Sequence, residues 1–406
     1  MGEGIVGAVL SVLVAATVAL ADEPTAETVV LSPTRYATNA ETPFRLNLLK
    51  ARQAAAAAPE DAMLHVRHGD WANAIADFEE ALVAYREAVR LEPTPERRMK
   101  LGLVAAGIGR VEEAVAALRL AAGAEWSRRG EVAERLLLVH LDAGDRAGAE
   151  ALARQQGWLT WDRQDCRVPL PSASPLTARL MALFTQPDWS ECLVDAAMTL
   201  TDWGYARLGH RLMNEAIART DNDWLRERAA AFLRMRLPVH EVPILAESLN
   251  GVGIRLARSG QDTDAIAVYE RALAVDPQFS WALNNLGQAY AKRGDDAQAL
   301  ECYRRAVAVN PSHLRAWRNV GNAATRLKRY DEAIEAYQRA LTLDPDDGRT
   351  HADHGSALYK AGRRTEGIQA MQRGLRLDPG LKDFREFLDR ELGQDTRTGP
   401  TPFSVR

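Results

Sequence analysis

Cysteine is scarce in this chain: Cys166, Cys192 and Cys302 are the only three in 406 residues. Three thiols cannot staple a small disulfide scaffold, and no CxxC or Cys/His zinc spacing occurs. Cys166 and Cys192 can pair if the protein is exported, and the odd count leaves free thiols equally open. Aromatics are few at 6%, whereas alanine and arginine abound, which suits helices better than sheets. Neither sign of charge is in excess: 51 basic against 55 acidic residues give −4 and a pI of 6.1. Nucleic acid is therefore not an expected partner.

Motifs for chemistry are missing as well. No Walker loop, GxSxG elbow, HExxH or kinase set occurs, so neither an enzyme nor a cofactor is expected. Two histidine groups have spacings that could touch a metal, and neither leads to a predicted metal site. His351 and His354 flank Asp353, but His354 falls at a core-facing position and no strong third ligand stands by. His65, His68 and Asp70 lie at a helix end, where polar residues are common.

Long apolar runs are absent but for one. Ile5 to Ala21 carries no charge and ends in ALA-DE, which predicts a secretory signal peptide cut after Ala21. The leading MGEG lacks the usual basic residues; uncut, the run is near the lower limit of about 17 residues for a membrane anchor. Either reading places the protein in the periplasm or cell envelope of a bacterium, with the cytoplasm as the alternative. Residues 22–54 read as a polar linker leading into a first helix.

What the sequence has is a frame. Pro277, Pro311, Pro345 and Pro379 stand 34 residues apart, as do Gly253, Gly287, Gly321 and Gly355. Ala265/Ala299/Ala333, Tyr269/Tyr303/Tyr337 and Ala272/Ala306/Ala340 recur in step. Each unit predicts two antiparallel helices. In the second, helix A spans Trp281 to Lys292, Gly294 stops it, and Asp295 or Asp296 caps helix B, which ends before Asn310-Pro311. The small Gly287 and Ala299 mark a close crossing, and Tyr303 fills the space beside it. The fourth unit reads as weaker, because Gly367, Met371 and Gly374 replace Ala, Tyr and Ala.

This period and these residue types resemble the tetratricopeptide repeat (TPR) family. The resemblance implies an all-α, TPR-type α-solenoid, a right-handed superhelix of antiparallel helix pairs. Four repeats are expected over 246–381, and a capping helix and tail over 382–406. A degenerate array is expected over 55–161, with Gly69, Ala74, Phe78 and Ala81 holding the frame in its first unit. Residues 162–245 read as a linker plus one degenerate helical repeat through Ala197, Gly204, Met213 and Ala216. The tryptophans Trp71, Trp126, Trp158, Trp161, Trp189, Trp203 and Trp224 read mostly as core.

In that family the A helices line a concave face. Here they would present Asn284, Asn285, Gln288, Arg315, Arg318, Asn319, Asn322 and Arg349, with Asn250, Lys292, Arg326 and Asp353 beside them. Asn285 and Asn319 are similar to the asparagine ladder of O-linked GlcNAc transferase. Arg318, Asn322 and Arg349 partly match the carboxylate clamp of chaperone-binding TPR domains, although Asp353 and Gly251 break the two patterns. The expectation is a non-catalytic protein–protein interaction scaffold that holds an extended segment of a protein partner, acidic or carboxylate-bearing where the arginines meet it. The alternative is an accessory subunit of an envelope polysaccharide or glycosylation machinery. The bland reading, a solvated inner face, stays open.

Overall fold

The computed structural model describes residues 43–159, 173–184, 190–202, 205–236 and 240–395. The expected leader at 5–21, most of the linker, Cys166, Trp161, Trp189, Trp203, Gly204 and the tail from 396 lie outside these residues. Among the described residues the regular structure is helical throughout, with no strand. The chain divides into two units, residues 1–192 and 193–406.

In the first unit, α1 (Pro43–Ala57) precedes three hairpins: α2 (Ala62–Ala74) with α3 (Phe78–Leu91), α4 (Pro95–Gly107) with α5 (Val111–Gly123), and α6 (Arg129–Asp142) with α7 (Arg146–Gln155). A short α8 (Pro175–Leu180) follows. Local sequence explains several starts. Asp61 accepts the Met63 amide at 2.8 Å, and Thr94 caps α4 with Pro95 in its first turn. Arg52 of α1 grips Glu80 of α3 through two bonds of 2.8 and 2.7 Å, and His68 of α2 meets the same carboxylate at 2.5 Å. Those partners hold the Glu80 carboxyl below its usual range, the Arg52 bonds foremost.

Helix α9 (Ser190–Asp202) starts at the boundary, and α10 (Ala206–Arg219) and α11 (Asp223–Arg236) follow in the second unit. The regular array then runs α12 (Ile244–Arg258) with α13 (Asp262–Val275), α14 (Ser280–Lys292) with α15 (Asp296–Val309), α16 (Leu314–Arg326) with α17 (Tyr330–Leu343), and α18 (Gly348–Lys360) with α19 (Arg364–Leu377). Helix α20 (Lys382–Asp395) closes it. Pro311 and Pro345 stand two residues beyond the last residues of α15 and α17, as the frame requires.

The recurring glycine is small because of the tyrosine, not because of the alanine. A Cβ on Gly287 would lie 2.6 Å from the Tyr303 ring, and one on Gly321 equally close to Tyr337. The same test corrects the frame of the first repeat: Gly69 faces Tyr85 at 2.7 Å. Its partners are therefore Ala81, Tyr85, Ala88 and Pro93, seven residues beyond the Ala74 and Phe78 register. In the third hairpin Leu137 takes the glycine position and Ala153 the tyrosine position, and both are fully buried. That reciprocal exchange keeps the summed volume nearly constant, which is why the frame is hard to see there.

Two further expectations change. Asp295 does precede α15, but its carboxylate makes no cap bond and instead pairs with Arg293 at 3.1 Å. The fourth repeat, weak by sequence, is the most closely apposed. A Cβ on Gly355 would meet the Gly367 carbonyl oxygen at 2.5 Å, and one on Gly374 the Gly348 oxygen at 2.6 Å. Glycines seven apart on both helices let the two backbones touch directly.

Candidate functional site

The A helices α12, α14, α16 and α18 sit side by side, and their polar residues bond to one another. Asn285 Nδ2 donates to Asn250 Oδ1 at 2.9 Å, and Asn319 Nδ2 donates to Asn284 Oδ1 at 2.9 Å. Each bond links a residue to the one 35 positions earlier, a repeat plus one residue. The acceptors Asn250 and Asn284 are buried at 4% exposure, and the donors Asn285 and Asn319 are half-buried. Two amide pairs thus tie neighbouring A helices together, and each of the four asparagines spends one bond within the array. The Oδ1 of Asn285 and of Asn319 takes no part in these bonds.

The other predicted contacts separate into committed and free groups. Asn322 accepts the Tyr337 hydroxyl at 2.7 Å, a tie that Asp70 and Tyr85 repeat at 2.6 Å in the first unit. Burial raises the Tyr337 phenol above its usual range, so it stays a neutral donor. Arg318 lies 3.4 Å from Asp347, and Arg349 meets Asp353 at 3.2 Å while stacking on Phe384 of α20. The expected excess of cations is thus offset by acids. Burial pushes the Asp353 carboxyl up, against the pull of Arg349. At Asp347 burial acts the same way but is outweighed by the Thr350 hydroxyl and amide and by Arg318, which hold the carboxyl below its usual range.

Lys292 donates to the Ala257 carbonyl at 2.9 Å, and Arg326 pairs with Asp296 at 2.6 Å, so neither faces the groove unpartnered. Gln288 and Arg315 differ: both are exposed, and among the described residues neither makes a hydrogen bond or ion pair. Solvent-side freedom of this kind has no signature in the repeat period, whereas the partners of Arg318 and Arg349 carried one in the acids nearby.

The histidines have individual uses. His65 bonds the Pro59 carbonyl and His351 the Pro345 carbonyl, both at 2.9 Å. His354 packs edge-on against Tyr337, and burial pulls its pKa down to about 4. Trp158 is core at 1% exposure, whereas Trp224 is 62% exposed, contrary to the core reading, and stacks under Arg228. Cys192 is disulfide-bonded, and Cys302 is a buried free thiol pushed up to about 11 by desolvation. A shallow cleft of about 430 Å³ lies at the α16–α17 turn, lined by Lys328, Arg329, Tyr330, Asp331, Glu332 and Ala361.

Hairpins in a 34-residue frame, with Gly69, Gly253, Gly287 and Gly321 each met by the tyrosine ring sixteen residues on and Gly102 by Leu118, define a tetratricopeptide-repeat protein, and this chain is one. Residues 60–129 match the tetratricopeptide repeat model, and residues 239–389 match the C-terminal domain of cilia and flagella-associated protein 70. Such repeats generally serve protein–protein interaction and are generally non-catalytic. No curated protein matches. Among solved structures, MamA 41-end from Desulfovibrio magneticus RS-1 is 21% identical, covering 37% of this chain and 88% of its own, with a TM-score of 0.35. Another MamA structure is 18% identical over 52% of this chain and 98% of its own, with a TM-score of 0.32. The first TPR of Spaghetti (RPAP3) bound to the HSP90 peptide SRMEEVD is 26% identical over 29% of this chain and 93% of its own, with a TM-score of 0.28.

Proposed function

We propose that this chain is a non-catalytic scaffold that captures an extended segment of a protein partner along the A-helix face of residues 246–381. The observation that supports this reading is the amide row. Asn285 and Asn319 are each held by one bond, so their remaining Oδ1 atoms are pre-oriented acceptors for the backbone N–H groups of a bound strand. A row of acceptors reads backbone, not sequence. Gln288 and Arg315, unpartnered among the described residues, supply a donor–acceptor pair and a cationic fork. Arg318 and Arg349 would contribute after exchanging their carboxylate partners for the ligand's. Asn284 and Asn322 act as supports.

Export, with either a cleaved or a retained apolar leader, belongs to the same reading. The run at 5–21 and the disulfide at Cys192 support it, since disulfides persist in oxidising compartments. Among the described residues no helix is long and apolar enough to cross a membrane.

The test is capture of partners from the native host by the tagged protein, compared with a Gln288→Ala/Arg315→Ala variant. Neither residue supports the fold, so capture should fall at least about tenfold while the melting temperature holds, a change worth about 1.4 kcal/mol. Unchanged capture by that variant would remove the groove reading.

A further inference from the structure

Arg255 lies on α12 two residues beyond Gly253. The same place in the next three repeats holds Ala289, Ala323 and Ala357, each no more than 1% exposed. A guanidinium thus stands where packing elsewhere accepts only a methyl group. A second departure accommodates it. Gly251, one turn earlier on the same face, replaces the side chains that Asn285, Asn319 and Asp353 supply in the later repeats. A Cβ on Gly251 would meet Arg255 Nη1 at 3.7 Å, so the guanidinium lies across the bare backbone where a row side chain would stand.

No carboxylate among the described residues meets this cation. Among the described residues Arg255 makes no ion pair or hydrogen bond, and the titratable group acting on its charge is the Tyr205 phenol. The acids that flank α12 are committed elsewhere: Glu247 accepts the Arg207 amide at 3.0 Å, and Glu241 pairs with Arg211 at 2.6 Å and with Arg207 at 3.2 Å. Arg255 keeps some surface, yet its head is buried deeply enough that desolvation pulls its pKa below the usual guanidinium value. A desolvated charge without a partner is costly, and an arriving anion recovers that cost.

We propose that Arg255 is an anion-binding position that takes a carboxylate of the captured segment, from an Asp or Glu side chain or from a chain terminus, at the amino-terminal end of the amide row. The proposal rests on the groove reading above for the nature of the segment. One planar fork beside amide acceptors suits a carboxylate, which needs two parallel N–H donors, whereas a phosphate dianion would call for more than one cation.

The experiment uses the full chain, the Arg255→Met variant and sodium glutarate as probe, with sodium chloride at equal ionic strength as control. Methionine keeps the bulk of the stem and removes the charge. Wild type should gain roughly 3 °C in melting temperature at tenfold the half-saturating glutarate concentration. Arg255→Met should melt no lower than wild type without glutarate and should not respond to it. Blocked Ala-Glu-Ala and an Ala-Ala-Ala with only its carboxyl end free then tell the side-chain source from the terminal one; a response to either supports the site. Equal shifts in both proteins, equal shifts with chloride, or a lower-melting variant with no glutarate response in wild type would overturn it. The glutarate shift does not involve the partner, so its failure and failed capture by the Gln288/Arg315 variant are separate results.

Discussion

Lys328 and Ala76 occupy the turn between helix A and helix B, where the other repeats place glycine, and both adopt positive φ, 60° and 62°. Gly294 meets the same demand at 85° without a Cβ penalty. Ala76 is fully buried, so its methyl group contributes packing, but Lys328 is exposed and gains nothing in return. Lys328→Gly should therefore stabilise the second unit by about 1 kcal/mol, read as a shift in the urea midpoint at constant slope. The opposite sign is expected at Asn319. Removing its amide strands the buried Asn284 Oδ1, so Asn319→Ala should cost about 1–3 kcal/mol. Asn319 is thus a packing residue as well as a candidate contact.

At the scale of the helix pair, glycine has two separate uses. Against Tyr303 or Tyr337 the neighbour is a ring, which can yield by rotating. Between α18 and α19 the neighbour is backbone, which cannot. Gly367→Ala should cost about 3 kcal/mol or more even though alanine favours a helix by about 1 kcal/mol, while Gly287→Ala should cost less. Thermal melts of the two variants side by side measure the difference. The Leu137/Ala153 exchange suggests a companion experiment. Gly287→Leu with Tyr303→Ala should be better tolerated than either change alone, with a coupling of at least about 1 kcal/mol in a double-mutant cycle. Ion pairs between successive B helices recur in frame as well, Arg86–Glu113 at 2.7 Å and Arg304–Glu332 at 2.6 Å, but such exposed pairs contribute little.

Across the whole molecule, acid should be the weak side. Burial lowers His313 to about 4, from an ordinary value near 6.5. A depressed folded-state pKa means that the unfolded chain binds the proton first, so stability is full above 6.5 and declines as pH falls toward 4. His313 alone accounts for about 3 kcal/mol over that window, and His354 acts in the same direction. Below about 4.5 the lowered carboxyls of Glu80, Glu113 and Glu241 extend the loss, and the raised Asp353 opposes it in part. Urea midpoints at pH 7, 5.5 and 4.5 should fall monotonically, and His313→Gln should flatten the upper part of the curve. The closing helix supplies the other whole-array prediction. Tyr359 packs edge-on against Phe387 and bonds Glu391 at 2.7 Å, so truncation after Leu381 should lower the melting temperature and promote association through the bared fourth repeat.

The amino-acid sequence by itself determined the hairpins, their boundaries in the regular array and the residues at the helix crossings. Each of those follows from a period of 34, and a period is a property of one dimension. Only the tertiary structure decided which polar side chains remain free. The amide bonds run from a residue to the one 35 positions earlier, a repeat plus one residue, and Arg318 and Arg349 are neutralised by Asp347 and Asp353, acids that the same places one repeat earlier (His313 and Asn319) do not carry. Two side chains compete for one hydrogen bond in space, and among the described residues that competition left Gln288, Arg315 and the desolvated head of Arg255 without partners.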